Sequence, residues 1–87
     1  MNWEEKDYYP DKPGGQKALY KTFKFTDFKT ALEFVNKIGA IAEVMGHHPN
    51  INLWWGGVNV WTTSHDAHKI TERDYDLAKK IDEAYKA

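Results

Sequence analysis

The sequence contains no cysteine, which excludes disulfide bonds, thiolate zinc sites and cysteine nucleophiles. An excess of charge of one sign is also lacking, because lysines and glutamates are interspersed and the net charge is −1. A broad surface for nucleic acid or anionic lipid is therefore not expected. No apolar run approaches the roughly 20 residues that span a bilayer. Residues 1–10 are acidic and aromatic, unlike a targeting signal, so we expect a cytoplasmic protein.

The 87 residues fit a single domain, residues 1–87, with a small hydrophobic core. Because no disulfide can support that core, oligomerisation is the remaining source of additional stability. Aromatic residues make up 15% of the chain and include four tryptophans. This content suits a compact core or a pocket for a flat ring, and composition does not distinguish the two.

Period-two alternation and a Gly-Gly pair predict a sheet that includes one β-hairpin. In the second strand Leu19 and Phe23 share one face, and Lys21 interrupts that face. A loop with two prolines and two glycines, residues 9–15, separates the first two strands. The predicted strands cover residues 3–8, 18–25, 51–55 and 58–63.

Apolar residues at three- and four-residue steps predict two amphipathic helices. The first runs for about five turns, with Thr26 as its N-cap and Gly46 as its left-handed C-terminal residue. Gly39 costs this helix about 1 kcal/mol relative to alanine unless another group packs closely there. The second helix begins at Thr71, where capping-box spacing places Asp74 in the first turn. The predicted stripes are Phe28, Ala31, Leu32, Val35, Ile38, Ala42 and Met45, and then Leu77, Ala78, Ile81 and Ala84 or Tyr85.

The predicted order is strand, strand, helix, hairpin, helix. Strands joined by turns, with the helices grouped apart, are typical of an α+β fold. We therefore predict an antiparallel sheet with the helices packed on one face, which buries every apolar stripe.

All four histidines lie between His47 and His68. The pair His47 and His48 follows a predicted helix end, and His65 follows a predicted strand end, where functional residues commonly sit. If the helix packs on the hairpin, these two loops meet at one rim of the sheet. The alternative is that they are solvated turn residues, which is our interpretation of His68.

Two kinds of chemistry fit such histidines. Three neutral imidazoles can hold zinc, but adjacent side chains rarely bind one ion, and neither an HExxH nor an HxH pair is present. Acid–base catalysis fits better, because one imidazole can donate a proton near neutral pH while another accepts one. Glu43, four residues before His47, would share its helical face and orient its ring. The alternative for Glu43 is an ordinary solvated helix residue.

Three segments together resemble the pattern of the pterin-4a-carbinolamine dehydratase family: EVMGHHP at 43–49, SHDA at 64–67 and ITERD at 70–74. That pattern reads E-x-x-x-H-H-P, then T-H-x-x-x-G-[LI]-[TS], then D. The resemblance extends upstream through LYKTFKFTDF at 19–28 to Trp3, and downstream through residues 77–82. It therefore covers almost the whole chain.

The resemblance implies an α+β fold with helices against a four-stranded antiparallel sheet, assembled as a homodimer or homotetramer. It implies dehydration of 4a-hydroxytetrahydropterin to quinonoid dihydropterin, for reuse by aromatic amino acid hydroxylases, without a metal or organic cofactor. Some members instead serve as dimerisation partners of a homeodomain transcription factor, which is the alternative function.

The resemblance also implies residue roles. His47 and His65 would be the acid–base pair, Glu43 and Asp74 would hold the imidazoles, and Trp3 would pack over the pterin ring. The implied catalytic residues are Glu43, His47, His48, His65 and Asp74. The implied substrate-binding residues are Trp3, His47, His48, Pro49, Ser64, His65, Asp66 and Ala67.

Two departures from the family pattern matter. Ser64 replaces a threonine and keeps its hydroxyl, whereas Lys69 replaces a glycine. If that position has positive φ, lysine is strained there or the loop differs, and either outcome affects the position of Asp74. The N-terminal segment is also shorter than in members that carry a leading helix.

Overall fold

The computed structural model describes residues 2–8 and 15–86. Within these residues the strands form one antiparallel sheet in the order β1-β2-β4-β3, so the predicted fold class and element order are confirmed. The predicted loop at 9–15 lies outside the described residues except for Gly15. No helix in the described part of the chain is long and apolar enough to cross a membrane. The elements are β1 Glu4–Asp7, β2 Lys17–Lys24, α1 Phe28–Met45, β3 Asn50–Trp54, β4 Gly57–Thr62 and α2 Glu72–Lys86.

The core lies between one face of the sheet and the two helices. Alternation along β2 and β4 places their apolar residues on this face, where they meet the apolar stripes of α1 and α2. Lys21 interrupts the face as predicted, and its ammonium lies 2.7 Å from Asp82 Oδ1. Burying each large side chain contributes about 1.5–3 kcal/mol. The fully buried apolar members include Leu19, Phe23, Ile38, Val58, Val60, Leu77 and Ile81.

Helix α1 begins one residue later than predicted. Asp27, rather than Thr26, is the N-cap, and its carboxylate accepts the backbone N–H of Thr30 at 2.8 Å. The prediction was wrong because an aspartate also caps well and stands immediately before the apolar stripe. At the other end Gly46 has φ 66° and donates its N–H to Ala42 O at 2.9 Å. The left-handed end predicted from glycine is therefore confirmed.

The buried stripe of α1 differs from the predicted one at its N-terminal half. Phe34 is 3% exposed and contacts the ring of Phe23 at a centroid distance of 4.9 Å. Phe28 and Leu32, which were predicted as core residues, are 49% and 41% exposed. The predicted stripe was too wide, because the apolar residues of α1 cover more of its surface than the sheet contacts.

The hairpin turn is shifted by one residue from the predicted Gly-Gly turn. Trp55 and Gly56 form the turn, and Gly57 is already the first residue of β4, paired with Trp54. A Cβ atom at Gly57 would lie 2.5 Å from the carbonyl oxygen of Phe23. This strand position therefore requires glycine, because the neighbouring backbone passes too close for any side chain.

Four chain segments meet at one end of the sheet. Helix α1 ends beside the start of β3, and β4 ends beside the segment that leads into α2. Because Asn50 pairs with Trp61, residues 47–49 lie next to residues 62–64. This arrangement brings both histidine loops to the same rim.

Candidate active site

A buried carboxylate organises this end of the sheet. Asp74, in the first turn of α2, has no exposed surface. Its Oδ1 atom accepts the hydroxyl of Thr62 at 2.6 Å and lies 2.6 Å from Nε2 of His47. Its Oδ2 atom accepts the hydroxyl of Ser64 at 2.8 Å and the backbone N–H of Thr71 at 2.9 Å. The carboxylate therefore joins α1, β4 and α2 through one group.

The hydrogen bonds also fix the charge of Asp74. Burial by itself would raise the pKa of this carboxyl, but the hydrogen bonds from His47, Thr62, the Thr71 backbone and Ser64 together lower it below 3.8. An ionised carboxylate only accepts hydrogen bonds, so Nε2 of His47 carries the proton. The opposite ring nitrogen, Nδ1, is then free to exchange a proton with a bound molecule.

Glu43 contacts His48 and not His47. The Oε2 atom of Glu43 hydrogen-bonds Nε2 of His48, and both side chains are largely exposed, 77% and 60%. The expectation that Glu43 would orient His47 is therefore wrong. After the left-handed residue Gly46 the chain changes direction, so His47 points towards Asp74 and His48 returns to the last turn of α1.

His65 lies on the second loop, next to the buried cluster. It directly follows Ser64, whose hydroxyl contacts Asp74, and its ring packs against Tyr8 at a centroid distance of 5.2 Å. A β-bridge between Ser64 and Lys69 closes the loop. The two histidine loops therefore meet at one rim of the sheet, as the sequence predicted, and both contact the Asp74 carboxylate there, through His47 and Ser64.

The 65–68 loop contains one residue with a left-handed backbone conformation, one position before the expected position 69. His68 has φ 56°, whereas Lys69, at the position of the family glycine, has no positive φ. Lys69 instead pairs with Ser64 in the β-bridge, where any side chain is tolerated. Lysine is therefore not strained at this position, and Asp74 is held by its contacts with His47 and Ser64.

An ion pair fastens this loop to α2. The guanidinium of Arg73 donates to Asp66 Oδ1 at 2.6 Å, and this hydrogen bond holds the pKa of the Asp66 carboxyl below 3.8. Ala67 is exposed beside it and donates its backbone N–H to the Ser64 carbonyl at 3.1 Å. Asp66 and Ala67, both predicted to bind substrate, are therefore on the solvent-exposed side of the cluster.

Two predicted substrate-binding side chains are engaged by other protein groups. Trp3 is 9% exposed, donates its indole N–H to Asp82 at 3.1 Å and packs edge-on against Phe23. Asp82 is eight residues after Asp74, which is about 12 Å along the helix axis, so Trp3 belongs to the core and not to this cluster. Ser64 is fully buried, and its hydroxyl is engaged by Asp74 and by Thr71 at 2.7 Å. It positions the carboxylate instead of facing a substrate.

Sequence reasoning missed two members of the cluster. Thr62 shares the buried face of β4 with Val58 and Val60, and a hydroxyl on an otherwise apolar face is the sequence signal for a buried polar partner. Thr71 was identified as a helix cap, and its N–H does bond the side chain of Asp74, as one half of a capping box. The hydroxyl of Thr71 hydrogen-bonds the hydroxyl of Ser64 instead of completing the capping box.

No group of three or more His, Cys, Asp or Glu side chains that could hold a metal ion is found within residues 2–8 and 15–86. His47 has one carboxylate partner and His48 another. Both imidazoles of the first loop are thus paired with a carboxylate, an arrangement suited to proton transfer.

The fold and the site define an α+β domain with a histidine–carboxylate cluster at one end of its sheet. A family model described as Pterin 4 alpha carbinolamine dehydratase matches residues 1–84. The chain belongs to this family.

Relatives and solved structures agree with this membership. A relative from Sulfurisphaera tokodaii, provisionally named a pterin-4-alpha-carbinolamine dehydratase, is 52% identical over 66 residues, 76% of this chain and 71% of its own length. A Rickettsia canadensis relative with the same provisional name is 52% identical over 64 residues, 74% of this chain but only 59% of the relative. The chain therefore spans less than two thirds of that second protein.

Two solved structures have similar folds. A protein from Brucella melitensis described as a transcriptional coactivator/pterin dehydratase matches with a TM-score of 0.81 and 30% identity, over 95% of this chain and 81% of that one. A pterin dehydratase-like protein described as a RuBisCO assembly factor in the alpha-carboxysome matches with a TM-score of 0.76 and 26% identity, over 98% and 90%.

Proposed function

We propose that this protein is a cytoplasmic hydro-lyase that removes water from 4a-hydroxytetrahydropterin and yields quinonoid dihydropterin, so that the tetrahydropterin can be recycled. The observation that carries the proposal is the buried pair of His47 and Asp74, 2.6 Å apart, with His65 on the adjoining loop. Family membership supports the substrate class. The paired imidazoles and carboxylates support acid–base chemistry without a metal or organic cofactor.

The reaction breaks the C4a–O bond and the N5–H bond and forms a C4a=N5 double bond. The leaving hydroxyl needs a proton to depart as water, and N5 must lose one, so one donor and one acceptor suffice. Because Asp74 is anionic, it stabilises the imidazolium that forms when Nδ1 of His47 accepts the N5 proton. His65 is exposed and donates a proton to the leaving hydroxyl, which departs as water. His47 then releases the N5 proton to solvent and His65 takes up one proton from solvent, so that both residues return to their starting states. Each such transfer contributes typically about 10²–10⁴-fold.

The remaining residues of the first loop would shape the pocket. Glu43 holds the ring of His48 by a hydrogen bond, and Pro49 leads directly into β3. Because this pair is largely exposed, its contribution to folding is small. Its proposed contribution is to place a polar ring at the rim where the hydroxyl of the substrate lies.

The test is turnover of enzymatically generated 4a-hydroxytetrahydropterin, followed as its disappearance over the spontaneous rate. Wild-type protein should accelerate the loss, and His47→Ala and His65→Ala should each lower kcat/KM by about 10²–10⁴-fold. His68→Asn is the matched control, because asparagine tolerates the left-handed backbone, and it should retain activity. Equal wild-type and spontaneous rates would overturn the proposal. Elemental analysis tests the proposal that no metal is required. Stoichiometric zinc in wild-type protein that is lost when His47 and His65 are replaced by alanine would contradict it.

We also propose that the protein assembles as a homodimer or homotetramer through α1. Phe28, Leu32 and Val44 are 49%, 41% and 90% exposed in the single chain. No atom lies within 4 Å of a Cβ built at Gly39, so nothing in the described protomer offsets the cost of glycine in this helix. Light scattering should show that Leu32→Glu lowers the molar mass, because Leu32 shares a helix face with Phe28 and Gly39, whereas Lys37→Glu on another face of the same helix leaves it unchanged.

The alternative function is a non-catalytic dimerisation or interaction partner of a transcription factor. The exposed apolar residues of α1 favour it, as does the description of the Brucella melitensis neighbour as a transcriptional coactivator/pterin dehydratase. The paired histidines favour catalysis. This alternative would be supported if wild-type protein showed no turnover and if a His47→Ala variant still bound the partner protein.

A further inference from the structure

The ring of His65 is held differently from the rings of the first histidine loop. His47 and His48 are each hydrogen-bonded to a carboxylate, whereas no hydrogen bond within residues 2–8 and 15–86 fixes the ring of His65. His65 is also exposed, and an exposed side chain samples several rotamers unless a contact restricts it. The contact that the structure provides is the ring of Tyr8.

The rings of Tyr8 and His65 meet edge to face. Their centroids are 5.2 Å apart and their planes are inclined by 75°, an arrangement that is favoured because the positive edge of one ring meets the negative face of the other. Tyr8 is half-buried and lies outside the hydrophobic core of the described residues, so this contact is separate from core packing. A pair of this kind changes the population of one ring orientation about 2–10-fold.

The end of the β1–β2 hairpin brings Tyr8 to this loop. Tyr8 directly follows β1, and its backbone N–H donates to the carbonyl of Gln16 at 2.8 Å, one pair beyond the ladder of the two strands. Because Leu19 of β2 is paired with Thr62 of β4 in an antiparallel register, Gln16 lies beside residues 63–65. The hairpin end and the base of the His65 loop are therefore neighbours.

Gln16 fixes the base of that loop by its side chain. Its amide donates to the hydroxyl of Thr63 at 2.8 Å and to the carbonyl of Ser64 at 3.4 Å. The Ser64 carbonyl also accepts the backbone N–H of Ala67 at 3.1 Å, and the Thr63 hydroxyl donates to the carbonyl of Lys17 at 2.7 Å. Gln16 therefore holds the backbone from which His65 projects.

We propose that Tyr8 and Gln16 are positioning residues for His65. Gln16 fixes the backbone of the loop, and Tyr8 restricts the imidazole to the orientation in which it delivers its proton. The inference rests on the proposed dehydration and adds two residues that lie outside the three segments of the family pattern. Both act through His65, and neither is assigned a contact with the substrate.

Steady-state kinetics test the role of Tyr8. Tyr8→Leu should lower kcat about 2–10-fold and leave KM within about twofold, because only the orientation of His65 during proton transfer changes. Tyr8→Phe keeps the ring and should stay within about twofold of wild type. Trp55→Leu is the matched control, because Trp55 is a 71% exposed aromatic residue in the turn at the opposite end of the sheet, and it should change neither constant. A raised KM with unchanged kcat in Tyr8→Leu would instead indicate a substrate contact and would overturn the inference.

Gln16→Leu should lower kcat about 3–10-fold, since it removes a hydrogen bond from the base of the loop. A double-mutant cycle shows whether the two residues act through the imidazole. In a His65→Ala background, Tyr8→Leu and Gln16→Leu should each leave the remaining kcat within about twofold, because the ring that they position is absent. Losses as large as in the wild-type background would overturn the inference.

Nuclear magnetic resonance tests the positioning without turnover. In wild-type protein and in Tyr8→Phe, an Overhauser contact should connect the ring protons of residue 8 with those of His65, and Gln16→Leu should weaken it. Absence of this contact in wild-type protein would overturn the inference even if the protein dehydrates the substrate. Absence of wild-type turnover with the contact present would overturn the proposed function alone, and the held orientation of the His65 ring would still be supported.

Discussion

The Nε2 atom of His47 lies 2.6 Å from Oδ1 of Asp74, although the two residues are 27 positions apart in the sequence. The contact connects the end of α1 to the first turn of α2, and Thr62 adds β4 to the same oxygen atom. One carboxylate therefore fixes three elements and the tautomer of one imidazole. Fold stability and the proposed chemistry depend on the same group.

Asp74→Asn should destabilise the fold by about 2–4 kcal/mol, because an amide nitrogen would replace an acceptor that faces several buried donors. Chemical denaturation monitored by circular dichroism measures this change. Asp76→Asn, an exposed aspartate on the same helix, is the matched control and should stay within about 0.5 kcal/mol of wild type. Equal stability of both variants would show that the buried hydrogen bonds of Asp74 contribute little.

The stabilisation by Asp74 should depend on pH in one direction. Burial opposes ionisation, but the hydrogen bonds from His47, Thr62, the Thr71 backbone and Ser64 lower the folded pKa below 3.8. A lowered carboxyl pKa stabilises the folded state fully above the unfolded value, about 3.9, and this contribution is lost as pH falls through the folded value.

Denaturation curves of wild type and Asp74→Asn between pH 7 and pH 2 measure this dependence. The stability difference between the two proteins should shrink as the pH falls below the unfolded carboxyl pKa of about 3.9. A difference that did not shrink between about pH 4 and pH 2 would contradict the ionised, hydrogen-bonded state of Asp74.

Phe34→Ala should destabilise the fold by about 3–5 kcal/mol, since it removes a buried ring from the core. The ring of Phe34 contacts those of Phe23, Phe25 and Tyr85 at centroid distances of 4.9, 5.3 and 5.5 Å. Thermal unfolding measures the change, and Tyr75→Ala is the control, because Tyr75 is a 44% exposed aromatic residue on α2. Similar losses for both variants would contradict the packing of α1 described above.

His68→Gly should be neutral or should stabilise the fold by up to about 1 kcal/mol, because glycine removes the left-handed strain at φ 56° but has more freedom in the unfolded chain. His68→Val should destabilise it, since a β-branched residue tolerates positive φ poorly. The pair is compared by urea denaturation. A stabilising valine would show that the loop is not held in this conformation.

Local patterns predicted the elements because each depends on near neighbours. The alternation of Leu19 and Phe23 on β2, and the left-handed end that Gly46 allows, require no knowledge of the rest of the chain. Phe34 shows the limit of such patterns, because a helix with many apolar residues does not reveal which of them the sheet covers.

The site was only partly predictable for the same reason. The resemblance named His47, Glu43 and Asp74, but which carboxylate pairs with which imidazole depends on the direction of the chain after Gly46. The place of Trp3 depends on how β1 pairs with β2, which no local pattern gives. Long-range geometry therefore decided the details that the motif left open.

The measurement that tests the account most directly is a double-mutant cycle on His47 and Asp74. Wild type, His47→Ala, Asp74→Asn and the double variant are compared by kcat for 4a-hydroxytetrahydropterin, at a temperature where circular dichroism shows each to be folded. Because Asp74 is proposed to act through the ring of His47, the double variant should be no slower than His47→Ala alone. Independent losses that multiply in the double variant would contradict the account.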